Sequence, residues 1–136
     1  MRSLVKTIDH LECVFVGSCN LACEYCFIHK NPSNMHLYNE EIRNSIVDGS
    51  FQNNIITKFN EAKYNIKGLS LWSGEPTLNA DLIATFCEPL LEFFPFLETF
   101  MFSTNGLLGY EKGIKPYIEY FKKYSELHDR PIHLTI

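Results

Sequence analysis

The chain has 136 residues, enough for one modest domain built around a single core. A content of 46% hydrophobic and 14% aromatic residues argues against a disordered segment, and a formal net charge of -4 gives no broad electrostatic reason to expect a nucleic-acid partner. No run approaches the ~18 apolar residues of a membrane span, and the opening Met1-Arg2-Ser3-Leu4-Val5-Lys6 lacks the apolar core of a signal peptide.

Residues 11–17 (Leu-Glu-Cys-Val-Phe-Val-Gly) predict a first strand, rich in β-formers and closed by glycine. A compact cysteine loop follows, with Cys19, Cys23 and Cys26 at the spacing C-x3-C-x2-C. The polar run His29 to Asn34 is expected to stay irregular at Pro32. Asn39 then reads as the N-cap of a helix with Glu40 and Glu41 in its first turn and Ile42, Ile46 and Val47 at helical spacing. Gly49-Ser50 is expected to break it, and a second helical piece with Phe51, Ile55, Ile56 and Phe59 on one side runs to about Ala62.

Residues 68–73 predict the second strand, stopping at Gly74-Glu75-Pro76. Asn79 is read as the cap of a helix carrying Leu82, Ile83, Phe86, Leu90 and Phe93 and ending before Pro95. Thr99 to Thr104 is the third strand, closed by Asn105-Gly106. A helix over about Lys115 to Leu127 has Pro116 in its first turn, with Tyr117, Phe121 and Tyr124 sharing one side. Lys112, Lys115, Lys122 and Lys123 read as its solvated side. Alternation of Ile132, Leu134 and Ile136 predicts a fourth strand from about Arg130. This β-α-β-α-β-α-β order predicts an α/β fold with parallel strands, either an open doubly wound sheet or part of a β/α barrel. In both, chemistry gathers at the C-terminal ends of the strands, where the cysteine loop, the 73–76 turn and the 103–106 turn all fall.

Five cysteines, three of them packed into eight positions, make a poor disulfide framework and a reasonable metal loop, which points to a reducing cytoplasm. Cys13 and Cys87 read as small buried hydrophobes. Thiolates suit zinc and iron–sulfur clusters, and three of them leave a ligand position open. Adding His29 would give C-x3-C-x2-C-x2-H, a plausible zinc set, so a non-catalytic zinc or iron–sulfur module stands as an alternative.

The loop Cys19-Asn20-Leu21-Ala22-Cys23-Glu24-Tyr25-Cys26 resembles the C-x3-C-x-aromatic-C motif of the radical S-adenosylmethionine (SAM) enzymes. Ser73-Gly74-Glu75-Pro76 is similar to their Gly-Gly-Glu-Pro turn, with serine in the first position, and Ser103-Thr104-Asn105-Gly106 to their Thr-Asn-Gly segment. The resemblance implies a 4Fe–4S cluster on Cys19, Cys23 and Cys26, with SAM on the fourth iron. Tyr25, Ser73, Gly74 and Glu75 would seat SAM, Gly74 by leaving room for close approach and Glu75 by accepting from its ammonium. Ser103 and Asn105 would face its ribose or the substrate. It further implies reductive cleavage of SAM to a 5′-deoxyadenosyl radical that abstracts hydrogen, with an electron donor such as a flavodoxin or ferredoxin. The substrate is not legible in these residues; a peptide or protein is the class toward which the reading leans. The family's barrel has six β/α units, so about three and a half units here are expected to be the N-terminal part of a larger core domain, marginally stable or self-associating alone.

Overall fold

The computed structural model describes residues 6–14, 32–72 and 75–136. Its centre is a four-stranded parallel sheet of β2 (Leu11–Val14), β4 (Gly68–Trp72), β5 (Thr99–Phe102) and β6 (His133–Thr135), arranged in space in that order without a reversal. Two further short strands, β1 (Lys6–Ile8) and β3 (Tyr64–Ile66), pair in parallel beside it. They are continuations of β2 and β4. Lys6 lies opposite Tyr64 and Leu11 opposite Leu69, the same offset on both sides of a bend at Asp9-His10, and Lys67 N–H donates to the Ile8 carbonyl across it (2.9 Å). Gly68 sits at the inside of that bend, where a Cβ would lie 2.7 Å from the Asp9 carbonyl oxygen.

The sheet's two faces differ. Leu69 and Leu71 of β4 and Phe100 and Phe102 of β5 are buried, whereas Glu12, Met101 and Thr135, which with Ser70 form one cross-strand row on the other face, are exposed. Four helices follow the strands: α1 (Pro32–Asp48), α2 (Ser50–Ala62), α3 (Ile83–Phe93) and α4 (Lys115–His128). Packing of α2 against α1 and α3, and of α3 against α4, joins them into one layer. Tyr117, Phe121 and Tyr124 are buried as their spacing predicts, with the Phe121 ring 4.4 Å from Phe100 and the Tyr117 ring 4.5 Å from Phe102. Cys13 and Cys87 are buried in the same core. No helix among the described residues is long and apolar enough to cross a membrane.

Several boundaries depart from the sequence expectations. The first helix starts at Pro32, not after Asn39, because proline has no N–H to lose and a fixed φ suited to a first helical position. Val47 is 61% exposed, whereas Ile42 and Ile46 are buried on that helix's core side. Gly49 breaks the helix as expected, in left-handed backbone at φ 87°. Asn79 lies inside a 3-10 turn (Pro76–Leu82) at φ -124°, buried, and its Oδ1 accepts from Arg43 of α1 (3.0 Å). Strands β5 and β6 are shorter than predicted, ending at Phe102 and spanning only His133–Thr135.

Two polar side chains hold the helical layer to itself. Pro89 lies inside α3 and has no N–H to give to the Thr85 carbonyl. Gln52 of α2, 1% exposed, supplies the missing donor: its Nε2 donates to Thr85 O (2.9 Å) and to Ile46 O (3.0 Å) at the end of α1. Arg130, after α4, donates to the carbonyl of Leu91 in the last turn of α3 and to those of Phe94 and Leu97 just beyond it. The bend is the most sharply testable feature. Gly68→Ala is expected to lower stability by about 1–3 kcal/mol, since the obstructing atom is backbone and cannot swing aside. A urea midpoint that falls while the slope is unchanged is the expected measurement; an unchanged midpoint would show the bend to be slack.

Candidate functional site

The site is built where β4 and β5 end. Glu75 follows β4 in extended backbone (φ -117°, ψ 100°), and Pro76 then opens the 3-10 turn. The Glu75 side chain is only 2% exposed. Its Oε2 accepts from Thr77 N–H (3.2 Å), from the Thr77 hydroxyl (2.6 Å) and from the Thr104 hydroxyl (2.6 Å). Its Oε1 accepts from Asn105 N–H (2.6 Å). A carboxylate has about four acceptor positions, so this set leaves little capacity for a further donor. Burial pushes the Glu75 carboxyl up, but the hydroxyls of Thr104 and Thr77 and the amides of Asn105 and Thr77 together hold it below the usual glutamate range.

The segment after β5 is shaped by its own side chains as well. The Thr104 hydroxyl, while donating to Glu75, accepts from Gly106 N–H (3.1 Å), and Asn105 Oδ1 accepts from Leu107 N–H (3.0 Å). These local bonds fold the backbone into a tight turn through Gly106 at φ 75°. Beneath it, the buried Tyr117 hydroxyl donates to the Pro76 carbonyl (2.6 Å), anchoring the first turn after Glu75 to α4. A π turn over Tyr110–Ile114 leads into α4 and presses Gly113 onto Thr77, where a Cβ would lie 3.0 Å from the Thr77 Cβ. Such turns inside helices recur at functional sites. Backbone from the β4 side, backbone from the β5 side and the start of α4 thus converge on one carboxylate.

Of the residues singled out in the sequence, Glu75, Ser103 and Asn105 are described, and the structure brings Glu75 and Asn105 into direct contact. Ser103 is exposed beside them. Cys19, Cys23, Cys26, Tyr25, Ser73 and Gly74 lie outside the described residues. Among the described residues, no group of three His, Cys, Asp or Glu side chains could hold a metal ion. Burial pushes the Cys13 thiol up to about 12 and that of Cys87 well above its ordinary value, so both are protonated packing groups at neutral pH. Thr77 and Gly113 went unread in the sequence, while Thr104 was legible there only as part of the 103–106 turn and Tyr117 only as a core position of the last helix. Thr77 has a local signal, a hydroxyl two residues after the carboxylate of Glu75 and next to Pro76.

The family model described as 4Fe-4S single cluster domain matches residues 10–113, well over half of the chain. The chain belongs to that family and is an iron–sulfur domain. The match spans β2, the cysteine loop, β4 with its Glu75 turn, and β5 with the turn after it. No curated protein and no solved structure matches the chain.

The Glu75 carboxyl also sets an acid limit. Its folded pKa is lower than its unfolded one, so between the two values the unfolded chain holds the extra proton and stability rises with pH. Its contribution is full above the ordinary glutamate value of about 4.3 and is lost as pH falls through the lowered folded value. Urea unfolding of wild type and Glu75→Gln from about pH 6 to about pH 3 is expected to show a steeper acid loss in the wild type, because the amide removes that linkage. Parallel curves would mean that Glu75 is not held ionised by its donors.

Proposed function

We propose that the chain is a radical SAM domain in which Cys19, Cys23 and Cys26 hold a 4Fe–4S cluster beside the turns that end β4 and β5. The observation that carries this reading is a coincidence of place. The family match covers three cysteines at C-x3-C-x2-C in the sequence after one parallel strand, and Glu75, from the sequence Ser-Gly-Glu-Pro after the next, accepts hydrogen bonds from Thr104 and Asn105 of the turn after the third. The donor set fits the group: three thiolates satisfy three irons and leave the fourth for an exogenous ligand. An unreversed parallel order with one helical layer and a half-polar open face further supports a partial (β/α) barrel, the architecture in which such turns converge on one end.

In this reading the cluster, when bound, supplies one electron for reductive cleavage of SAM to a 5′-deoxyadenosyl radical that removes hydrogen from a substrate. The protein supplies placement and exclusion of water. Ser73 and Gly74 would offer backbone for close approach to the methionine end of SAM, Tyr25 would help to seat SAM, and the Ser103–Gly106 turn would face the ribose or the substrate. The electron comes from an external donor such as a flavodoxin or ferredoxin.

Anaerobic reconstitution separates this from a non-catalytic module. The expected result is about four irons and four sulfides per chain, lost in each of Cys19→Ala, Cys23→Ala and Cys26→Ala. Tight zinc with negligible iron would overturn the cluster assignment. Adding SAM to the reduced wild-type cluster is expected to change its electron paramagnetic resonance spectrum, and Gly74→Val to abolish that change with the cluster intact. A spectrum indifferent to SAM in the wild type would leave an iron–sulfur binding module as the function.

A further inference from the structure

We propose that Glu75 is a positioning residue: its carboxylate holds the Ser103–Gly106 turn against the end of β4, so that this turn, and not Glu75 itself, presents groups to the bound ligand. The proposal rests on the radical SAM reading for the identity of that ligand, but the tie between the two turns stands on geometry alone. An acidic residue in a cofactor-facing turn is expected to offer its carboxylate outward, to a ligand ammonium or hydroxyl. Glu75 turns inward instead. It is 2% exposed, and the four donors around it all belong to the protein. Two come from Thr77, within its own turn; the other two, the Thr104 hydroxyl and the Asn105 amide, come from a turn about thirty residues later.

The arrangement is directional. Thr104 cannot donate elsewhere while bound to Oε2, and in that pose its lone pairs receive Gly106 N–H, which brings Gly106 into its left-handed conformation. Asn105 is then fixed by its backbone amide on Oε1, while its side-chain Oδ1 accepts from Leu107 N–H within the exposed turn. Charge makes the tie strong, because hydrogen bonds to an ionised acceptor are shorter and about twice as strong as neutral ones. A neutral amide cannot reproduce it. If the Glu75→Gln nitrogen takes the Oε2 place it meets three donors, and if it takes the Oε1 place it meets the Asn105 amide.

The test uses the cluster-loaded chain under anaerobic conditions, with single-residue hydrogen exchange as one readout and SAM affinity as the other. Asn105 N–H is the reporter, since it bonds to Glu75 and not to Thr104. Its exchange is expected to quicken by about tenfold or more in Glu75→Gln, a loss in the range of a hydrogen bond to a charged group. Thr104→Val is expected to quicken it as well, although that variant keeps the carboxylate, and Thr104→Ser to restore protection because the hydroxyl returns. SAM affinity is expected to fall in parallel in the first two variants, with the double variant little worse than Glu75→Gln alone. Weaker SAM binding in Glu75→Gln with Asn105 exchange unchanged would overturn the proposal and make Glu75 a direct ligand. Independent, additive losses of affinity would overturn it too. Should wild-type protein fail to respond to SAM, the functional reading falls, and the Asn105 exchange in Glu75→Gln and Thr104→Val still decides whether Glu75 holds the turn.

Discussion

A carboxylate removed from water has to be met by donors, and at the C-terminal end of this sheet the donors are drawn from two turns that share no sequence neighbourhood. Thr77 belongs to the segment after β4, while Thr104 and Asn105 belong to the segment after β5. Satisfying Glu75 therefore fixes how two adjacent strand ends sit relative to each other. The surrounding packing serves the same end, with Tyr117 gripping Pro76 and Gly113 letting the π turn close over Thr77. A parallel sheet positions its strand ends only approximately through the ladder. A charged clamp at the rim fixes them more closely.

The sheet in turn depends on one pairing. β4 is flanked by β2 and β5, and with β3 it forms a single bent strand whose partner is the bent strand made of β1 and β2. A shift of one residue along this ladder would turn Leu69 and Leu71 out of the core and carry Glu75 away from Thr104. Register and site are thus one constraint, set on the core side by apolar alternation and at the rim by charge. The ion pair between Lys67 and Glu98 (3.8 Å), half-exposed, contributes little beside these.

The helical faces were open to reading because their information is local and periodic: Tyr117, Phe121 and Tyr124, or Phe86 and Leu90, need only be counted. The break at Gly49 was equally plain. Pro32 misled because proline's two roles, breaking a helix and starting one, look alike until the following residues are seen to be helical. β1 and β3 escaped notice as three-residue strands with charged or polar members, which hold through pairing and not through pattern. Asn79 has the chemistry of a cap, and the structure adds to it a partner far away in sequence, Arg43. The inward turn of Glu75 belongs to the same class. A Gly-Glu-Pro sequence fixes that a carboxylate lies at the rim, while its direction depends on a threonine in another turn.

Gln52 and Pro89 depend on each other through one carbonyl. The proline leaves the Thr85 carbonyl without its helical donor, and the glutamine from the neighbouring helix fills that place. Neither change is neutral in isolation. A chain that acquired the proline first would have carried an unmet carbonyl in its core, whereas one that acquired the glutamine first would have buried an amide with less to do. Replacing Gln52 by an apolar residue strands the Thr85 carbonyl for as long as Pro89 remains, and takes the same donor from Ile46 in either case. The two positions are thus coupled through that carbonyl although they lie on different helices.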